Sequence, residues 1–387
     1  MDDEPLYMDA NIRVVYGITL MAVMGVSSIS PALPQISRVF EIGPEQVGLL
    51  ITVFTLPGIF LTFGLGILAD RFGRKRILVP SLLLFGFAGT ACAFVGSFVM
   101  LMILRFIQGV GAAAIGSLTI TLLGDLYSGE RQKKAMLYNA GVLSIGTASY
   151  PSIGGALASL DWHFPFLLAF FAIPIAGLVT FKLETIEPEG APDFGGYLRT
   201  AWKGIKNVEV IVMLFVSVMT FILLYGAHQT YVPILLDKEY GSSSLIIGIV
   251  MSSVSVATGL TSWFLAKYGH SYDGVKLLQA AFLVYCLVML VIPLVNSLWL
   301  MLIPLTLFGA AQGMNIPTRQ NLLAEVSSEE YRAAVMSLNG MALRGGQTLG
   351  PTIMGLAFLI GGLDLPFLLG AVFALFTFLV LTVTLRK

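Results

Sequence analysis

The chain alternates long apolar runs with short polar breaks. A helix needs about 20 apolar residues to cross the hydrocarbon core of a bilayer. Runs of that kind lie near 12–37, 46–69, 77–97, 99–125, 133–159 and 163–182, then near 208–236, 244–267, 274–295, 298–325, 332–361 and 365–385. The pattern predicts an all-α membrane protein with twelve transmembrane helices. Several runs exceed the minimum, which implies tilt or bending. Pro31, Pro34, Pro151, Pro233, Pro317 and Pro351 fall inside them, where neighbouring helices can tolerate a kink.

The polar breaks set the orientation. One side holds Arg71, Arg74, Lys75 and Arg76, with Arg131, Lys133, Lys134, Lys182, Arg199, Lys203, Lys206, Arg386 and Lys387; of the loop lysines and arginines only Arg38 and Lys238 fall on the other. Basic loops stay inside, so both termini are expected in the cytoplasm and the protein in the inner (plasma) membrane. Only 11% of the 387 residues are charged, against about 25% in soluble domains, which excludes a soluble class. The net charge of zero hides the asymmetry. No positively charged leader with a small-residue cleavage site opens the chain, and the acidic stretch 1–10 reads as a disordered cytoplasmic tail. Cys92 and Cys286 both sit in apolar runs and read as free buried thiols.

An internal repeat divides the chain. Displaced by 200 residues, Gly109–Gly155 aligns with Gly309–Gly355 without a gap, and twelve of 47 positions are identical, including Glu130/Glu330, Asn139/Asn339, Gly146/Gly346 and Pro151/Pro351. Composition alone would give roughly three or four. Two pseudo-symmetric six-helix bundles follow, 1–182 and 208–387, around a central cavity. The linker 183–207 begins acidic, and Phe194, Leu198, Trp202 and Ile205 then share one helical face opposite Arg199, Lys203 and Lys206, as in an amphipathic helix lying on the inner membrane surface.

The break between the second and third runs reads Gly66-Ile-Leu-Ala-Asp-Arg-Phe-Gly-Arg-Lys-Arg76. It resembles the loop signature of the major facilitator superfamily, matching each specified position through Leu78. The resemblance implies two bundles working by alternating access, with this loop latching them on the cytoplasmic side in the outward-facing state. Gly66, Asp70, Arg71, Gly73, Arg74 and Asp125 would then form the latch. Asp70 would meet the start of the eleventh helix, where free N–H groups attract an anion, and Arg74 would pair with Asp125. The other reading is a basic turn that only fixes topology. The second half keeps Leu265-Ala266 and Gly269 but has no acid before its turn, so the latch is expected to be one-sided.

Two further stretches are similar to superfamily signatures. Arg105-Phe-Ile-Gln108-Gly109-Val-Gly111 opens the fourth run; its arginine, about 9 Å inside the outer end, reads either as a functional group or as a donor to carbonyls of the first helix. Gly146-Thr-Ala-Ser-Tyr150-Pro151-Ser-Ile-Gly154-Gly155 resembles the antiporter signature of exporting members, with Tyr150 replacing a glycine; Gly350 and Pro351 recur in the eleventh run. Helix packing without any transport direction is the other reading. Arg344, about 18 Å from the inner end of its helix, leads the substrate-contact candidates and shares a face with Gln347. Weaker polar stripes are Tyr225, His228 and Gln229; Gln312, Asn315 and Arg319; and Met24 with Ser28.

No acid lies deep in a helix, since Asp70, Asp125, Asp237 and Glu325 are all terminal. A proton-coupled cycle would therefore leave His228 as the buried titratable histidine. Histidines at 163, 228 and 270 are scattered and no nucleophile–base or metal-ligand spacing occurs, so an enzyme is not expected, nor a cofactor, a metal or a nucleic-acid partner. The chain most resembles the twelve-helix drug-exporter group. The expected function is a monomeric secondary transporter moving small amphipathic compounds by alternating access, as in multidrug efflux, with H+ as a candidate counter-ion. The alternative is an organic-anion or lipid-like amphiphile carrier using Arg105 and Arg344 as counter-charges.

Overall fold

The computed structural model describes residues 6–184, 206–268, 272–328 and 331–385. Within them the chain forms twelve long helical segments in the expected order: α1 (Ala10–Val39), α2 (Leu49–Phe72), α3 (Arg74–Phe94), α4 (Phe98–Leu126), α5 (Gly129–Leu160), α6 (Phe164–Lys182), α7 (Val208–Tyr240), α8 (Ser244–Tyr268), α9 (Gly274–Leu294), α10 (Leu298–Val326), α11 (Arg332–Gly361) and α12 (Leu365–Thr384). Ten helices among the described residues are long and apolar enough to cross a membrane. By that measure α5 and α11 fall short, because each carries polar side chains along the face it turns to the other half. The amphipathic stretch 194–205 lies outside the described residues, as do Gly269, His270 and Glu330.

Two bends have identifiable causes. In α1 the helix breaks after Ser27 and continues through a 3-10 turn, Ser30–Ala32, into Leu33–Val39, where Pro31 and Pro34 remove backbone donors. In α7 the segment Leu223–Tyr231 is a π-helix, a wider turn that is frequent at functional sites. Residues 6–10 are ordered, which corrects that part of the expected disordered tail; the rest of the stretch lies outside the described residues. Leu6–Met8 makes a turn and Asp9 caps α1 by accepting the Asn11 N–H at 2.9 Å. Asp9 also accepts the Tyr127 hydroxyl at 2.8 Å, so the segment is tied to the end of α4. Cys92 and Cys286 are free and buried.

The repeat appears as equivalent contacts. A Cβ on Gly109 would lie 2.1 Å from the Phe54 carbonyl oxygen, and one on Gly309 would lie 2.3 Å from that of Val254. Each glycine thus permits the same close crossing, α4 on α2 and α10 on α8. Thr19 donates to Asn139 at 2.5 Å, and Ser217 donates to Asn339 at 2.6 Å, fixing α1 to α5 and α7 to α11.

The halves meet along α2–α11 and α5–α8 toward the end that carries Arg38. Arg38 donates to both carboxylate oxygens of Asp237 at 2.8 and 2.6 Å. Thr52 and Thr55 bond Thr352 and Thr348 across α2–α11 at 3.1 and 2.9 Å. Ser152 and Ser252 bond at 2.7 Å, and a Cβ on Gly248 would come 2.2 Å from the Pro151 carbonyl oxygen. Toward the other end, Gly64 and Gly66 of α2, Gly141 of α5, Gly259 of α8 and Gly340 of α11 would meet nothing within 4 Å. The halves are clasped at the Arg38 end and diverge toward the basic loops.

Candidate substrate site between the halves

The basic loop is built on Gly73, which ends α2 and starts α3 at φ 98°, a conformation that L side chains rarely adopt. That turn brings Arg74 against both Asp70 and Asp125. It pairs with Asp70, four residues earlier, and its Nε donates to Asp125 at 2.9 Å. Asp70 therefore faces Arg74 in this conformation, while Arg332, the first residue of α11, donates to the Ala324 carbonyl at 3.2 Å. Arg71 lies over the Phe72 ring at 5.4 Å, and Gly66 meets nothing within 4 Å.

Arg344 projects from the middle of α11 into the space between the halves. Its Cδ would lie 3.1 Å from a Cβ on Gly58 of α2, and its Nη2 would lie 3.4 Å from one on Gly116 of α4. Tyr225 of α7 is within electrostatic reach. One guanidinium therefore touches both halves, yet it remains half-buried rather than sealed. Its Nη1 donates to the Gln347 side chain at 3.1 Å, which fixes the head group. Tyr225 is half-buried, with Phe221 stacked on it at 5.8 Å, and Gln229, one turn further along α7, is half-buried too.

His228 does not share that face, which corrects the expected stripe. The π turn changes the angular step, so Tyr225 and Gln229 stay half-buried while His228 turns inward, 3% exposed and 5.2 Å from the Phe308 ring. The other candidates are engaged in packing. Arg105 is fully buried, donates to the Leu50 carbonyl at 3.3 Å and to Gln108 at 2.7 Å, and lies 4.1 Å from the Phe54 ring. The carbonyl it takes belongs to α2 and not to the first helix, because Gly109 lets α4 press onto α2 there. Met24 and Ser28 are buried in α1, and the Ser28 carbonyl oxygen would sit 1.9 Å from a Cβ on Gly154. Gly155 meets Ser244 of α8, Gly350 meets Gly226 of α7, and Pro351 lies on Gly48, the residue just before α2. Tyr150 is buried against Gly146.

Gln312 and Asn315 are buried within the second half, behind Phe221, together with Arg319. Arg319 was legible only as part of a polar stripe. What would have singled it out is the repeat itself: Gln312, Asn315 and Arg319 stand 200 residues after Ala112, Ile115 and Thr119.

Two bundles clasped at one end, with a shared charged and aromatic site between them, define a membrane transporter. The family model described as Major Facilitator Superfamily matches residues 15–271 and 215–387, and the chain belongs to that superfamily. It is 27% identical over 361 residues to the bacillibactin exporter of Bacillus subtilis (strain 168), covering 89% of this chain and 88% of that one. It is 23% identical over 342 residues to Multidrug resistance protein 1 of the same organism, covering 87% of each. Among solved structures, a bacterial homologue of the human lysosomal transporter Spinster superposes with a TM-score of 0.80 at 16% identity, covering 97% of both chains. These are multi-pass transporters of small molecules, not enzymes, and with bacterial exporters among the relatives the membrane is the inner one.

Proposed function

We propose that this chain is a secondary active exporter of small amphipathic compounds, cycling by alternating access. The observation that carries the reading is Arg344, half-buried at mid-helix and set against α2 and α4 of the other half, with Tyr225 of α7 within electrostatic reach. A group so placed changes its surroundings whenever the halves rock, so a bound cargo couples to the conformational equilibrium. Basic loops are retained on the cytoplasmic side, so the described conformation, open toward those loops, is the cytoplasm-facing one, and both termini are cytoplasmic. Export is supported by the relatives' names and by the glycine–proline motif of α5. Asp70, Arg74 and Asp125 form the loop latch. Arg105 serves packing of α4 on α2 and is not a counter-charge.

Proteoliposomes with an imposed proton gradient test this, following internal pH while lipophilic cations, neutral amphiphiles and organic anions are added. Compound-dependent proton movement establishes antiport; compound flux without proton movement leaves exchange or facilitated diffusion. No flux for any compound, with folded protein, overturns the exporter. The second reading, an organic-anion carrier, is favoured by Arg344, since among the described residues no carboxylate is hydrogen-bonded to this cationic group. Anion flux lost in Arg344→Ala, with cation flux absent, would select it.

A further inference from the structure

Behind the Phe221–Tyr225 pair lies a cluster of donors without partners. Arg319 is 1% exposed, and its Nε, Nη1 and Nη2 all lack hydrogen-bond partners. Its guanidinium sits 5.6 Å from the Phe221 ring, which is itself stacked on Tyr225. Side chains on a helix lean toward its N-terminus, which directs Arg319 toward Asn315 and Gln312 on the same face of α10. The Gln312 amide is unpartnered at both ends, and Tyr285 of α9 is fully buried beside Arg319 and Asn315, with Asn315 in reach of its hydroxyl but no hydrogen bond of normal geometry formed. Asn315 is already engaged, donating to Thr220 at 3.0 Å.

A buried guanidinium demands a counter-charge or acceptors. The helices around Arg319 carry acids only near their ends, Glu209, Asp237 and Glu239 on α7 and Glu325 on α10. The sequence has none from 210 to 236, from 240 to 272, from 274 to 324 or from 331 to 363. The first half shows that the architecture does not require these groups. There the equivalent positions are Phe85, Ala112, Ile115 and Thr119, all buried, with the Thr119 hydroxyl returned to its own helix at 2.7 Å. A packed apolar layer has been exchanged for a charge and a set of donors.

We infer that Arg319, Tyr285 and the Gln312 amide form an internal subsite for a single oxyanion group, a carboxylate in the first instance, admitted when the Phe221–Tyr225 pair moves aside. A guanidinium fork with a phenol donor matches a planar oxyanion, and the two rings at its mouth suit an aryl group attached to it. The subsite names a chemical feature of the cargo and rests on the transport reading for that link. Its binding test needs no flux, so the two can fail separately.

The test is thermal unfolding of the full chain in lipid nanodiscs with sodium benzoate, benzamide or sodium phosphate. Benzoate is expected to raise the wild-type midpoint and neutral benzamide to leave it. Apparent benzoate affinity should fall about tenfold or more in Arg319→Thr and several-fold in Tyr285→Phe, which copies the first half's residue and keeps the ring if the arginine variant does not fold. Protection by phosphate alone, with the same dependence on Arg319 and Tyr285, would identify a free inorganic anion as the occupant of the same oxyanion site. No protection by either anion, protection unchanged in both variants, or equal protection by benzamide would overturn the subsite.

Discussion

The two halves are one design carried out with opposite chemistry. Gly109 and Gly309 make the same close crossing, and Asn139 and Asn339 take the same hydroxyl bond. On that shared frame the buried cation has changed place. The first half buries Arg105, where the second has Leu305; the second buries Arg319, where the first has Thr119. Arg105 gives two hydrogen bonds and faces an aromatic ring, whereas Arg319 gives none from its guanidinium. Arg105, tied by two hydrogen bonds with only its Nη2 unpaired, is held as structure. Arg319, unsatisfied on a frame that folds without it, is held for something else.

Exchanging the residues between halves breaks or sharpens this contrast. Arg105→Leu, copying Leu305, leaves the Leu50 carbonyl and the Gln108 amide oxygen buried without their donor, at roughly 1–3 kcal/mol each. The apparent melting point in nanodiscs should drop further than for Gly248→Val, Arg38→Ala or Asp70→Asn. Arg319→Thr, copying Thr119, removes a desolvated charge and should raise ligand-free stability by about 1–3 kcal/mol. Both variants destabilising equally would mean that Arg319 is also structural.

The next effect is on the clasp. Gly248→Val would push a side chain into the Pro151 carbonyl, a backbone atom that cannot rotate away. Overpacking typically costs about 1–3 kcal/mol, and here the cost falls on the clasped state alone, since each half is untouched. Spin labels at the ends of α1 and α7 should report separation, and transport should fall about tenfold or more. Retention of the clasped distance would show that α5 and α8 can slide to accommodate the branch.

Much of this was written in the sequence where physical chemistry acts locally. Twelve apolar runs, the Gly73 turn and the repeat each follow from residues close in the chain or from a fixed displacement. The π turn of α7, where Gly226 comes close to Gly350 of another helix, did not, and it moved His228 off the expected face. Of the two readings left open for Arg105, the carbonyl-donor one holds but with a carbonyl of α2 instead of the first helix, since which carbonyl an arginine meets is set by helix crossing and not by depth. The isolation of Arg319 is likewise a fact about packing. Its spacing with Gln312 and Asn315 was visible, but its lack of an acceptor depends on what α7 and α9 present to it.

The smallest effects compare the two ends of the molecule. Arg38 is 61% exposed at its side chain and Asp237 18%, so the pair is worth only about 0.2–1 kcal/mol and weakens with salt. Arg38→Ala should shift the conformational equilibrium away from the clasped state by no more than about fivefold. Asp70→Asn acts at the opposite end. There the charge is held in reserve by Arg74, and in the alternate state it would sit at the N-terminus of α11, an anion–dipole contact worth up to about 1 kcal/mol. Losing it should favour the present conformation, slowing turnover more than it weakens cargo binding. Each substitution taxes a different state, so the double variant should restore the wild-type distance distribution between α1 and α7 even though both single variants move it. If Asp70→Asn instead shifts that distribution in the same direction as Arg38→Ala, the loop carboxylate supports only its own turn, and the closure of the basic end depends on other groups.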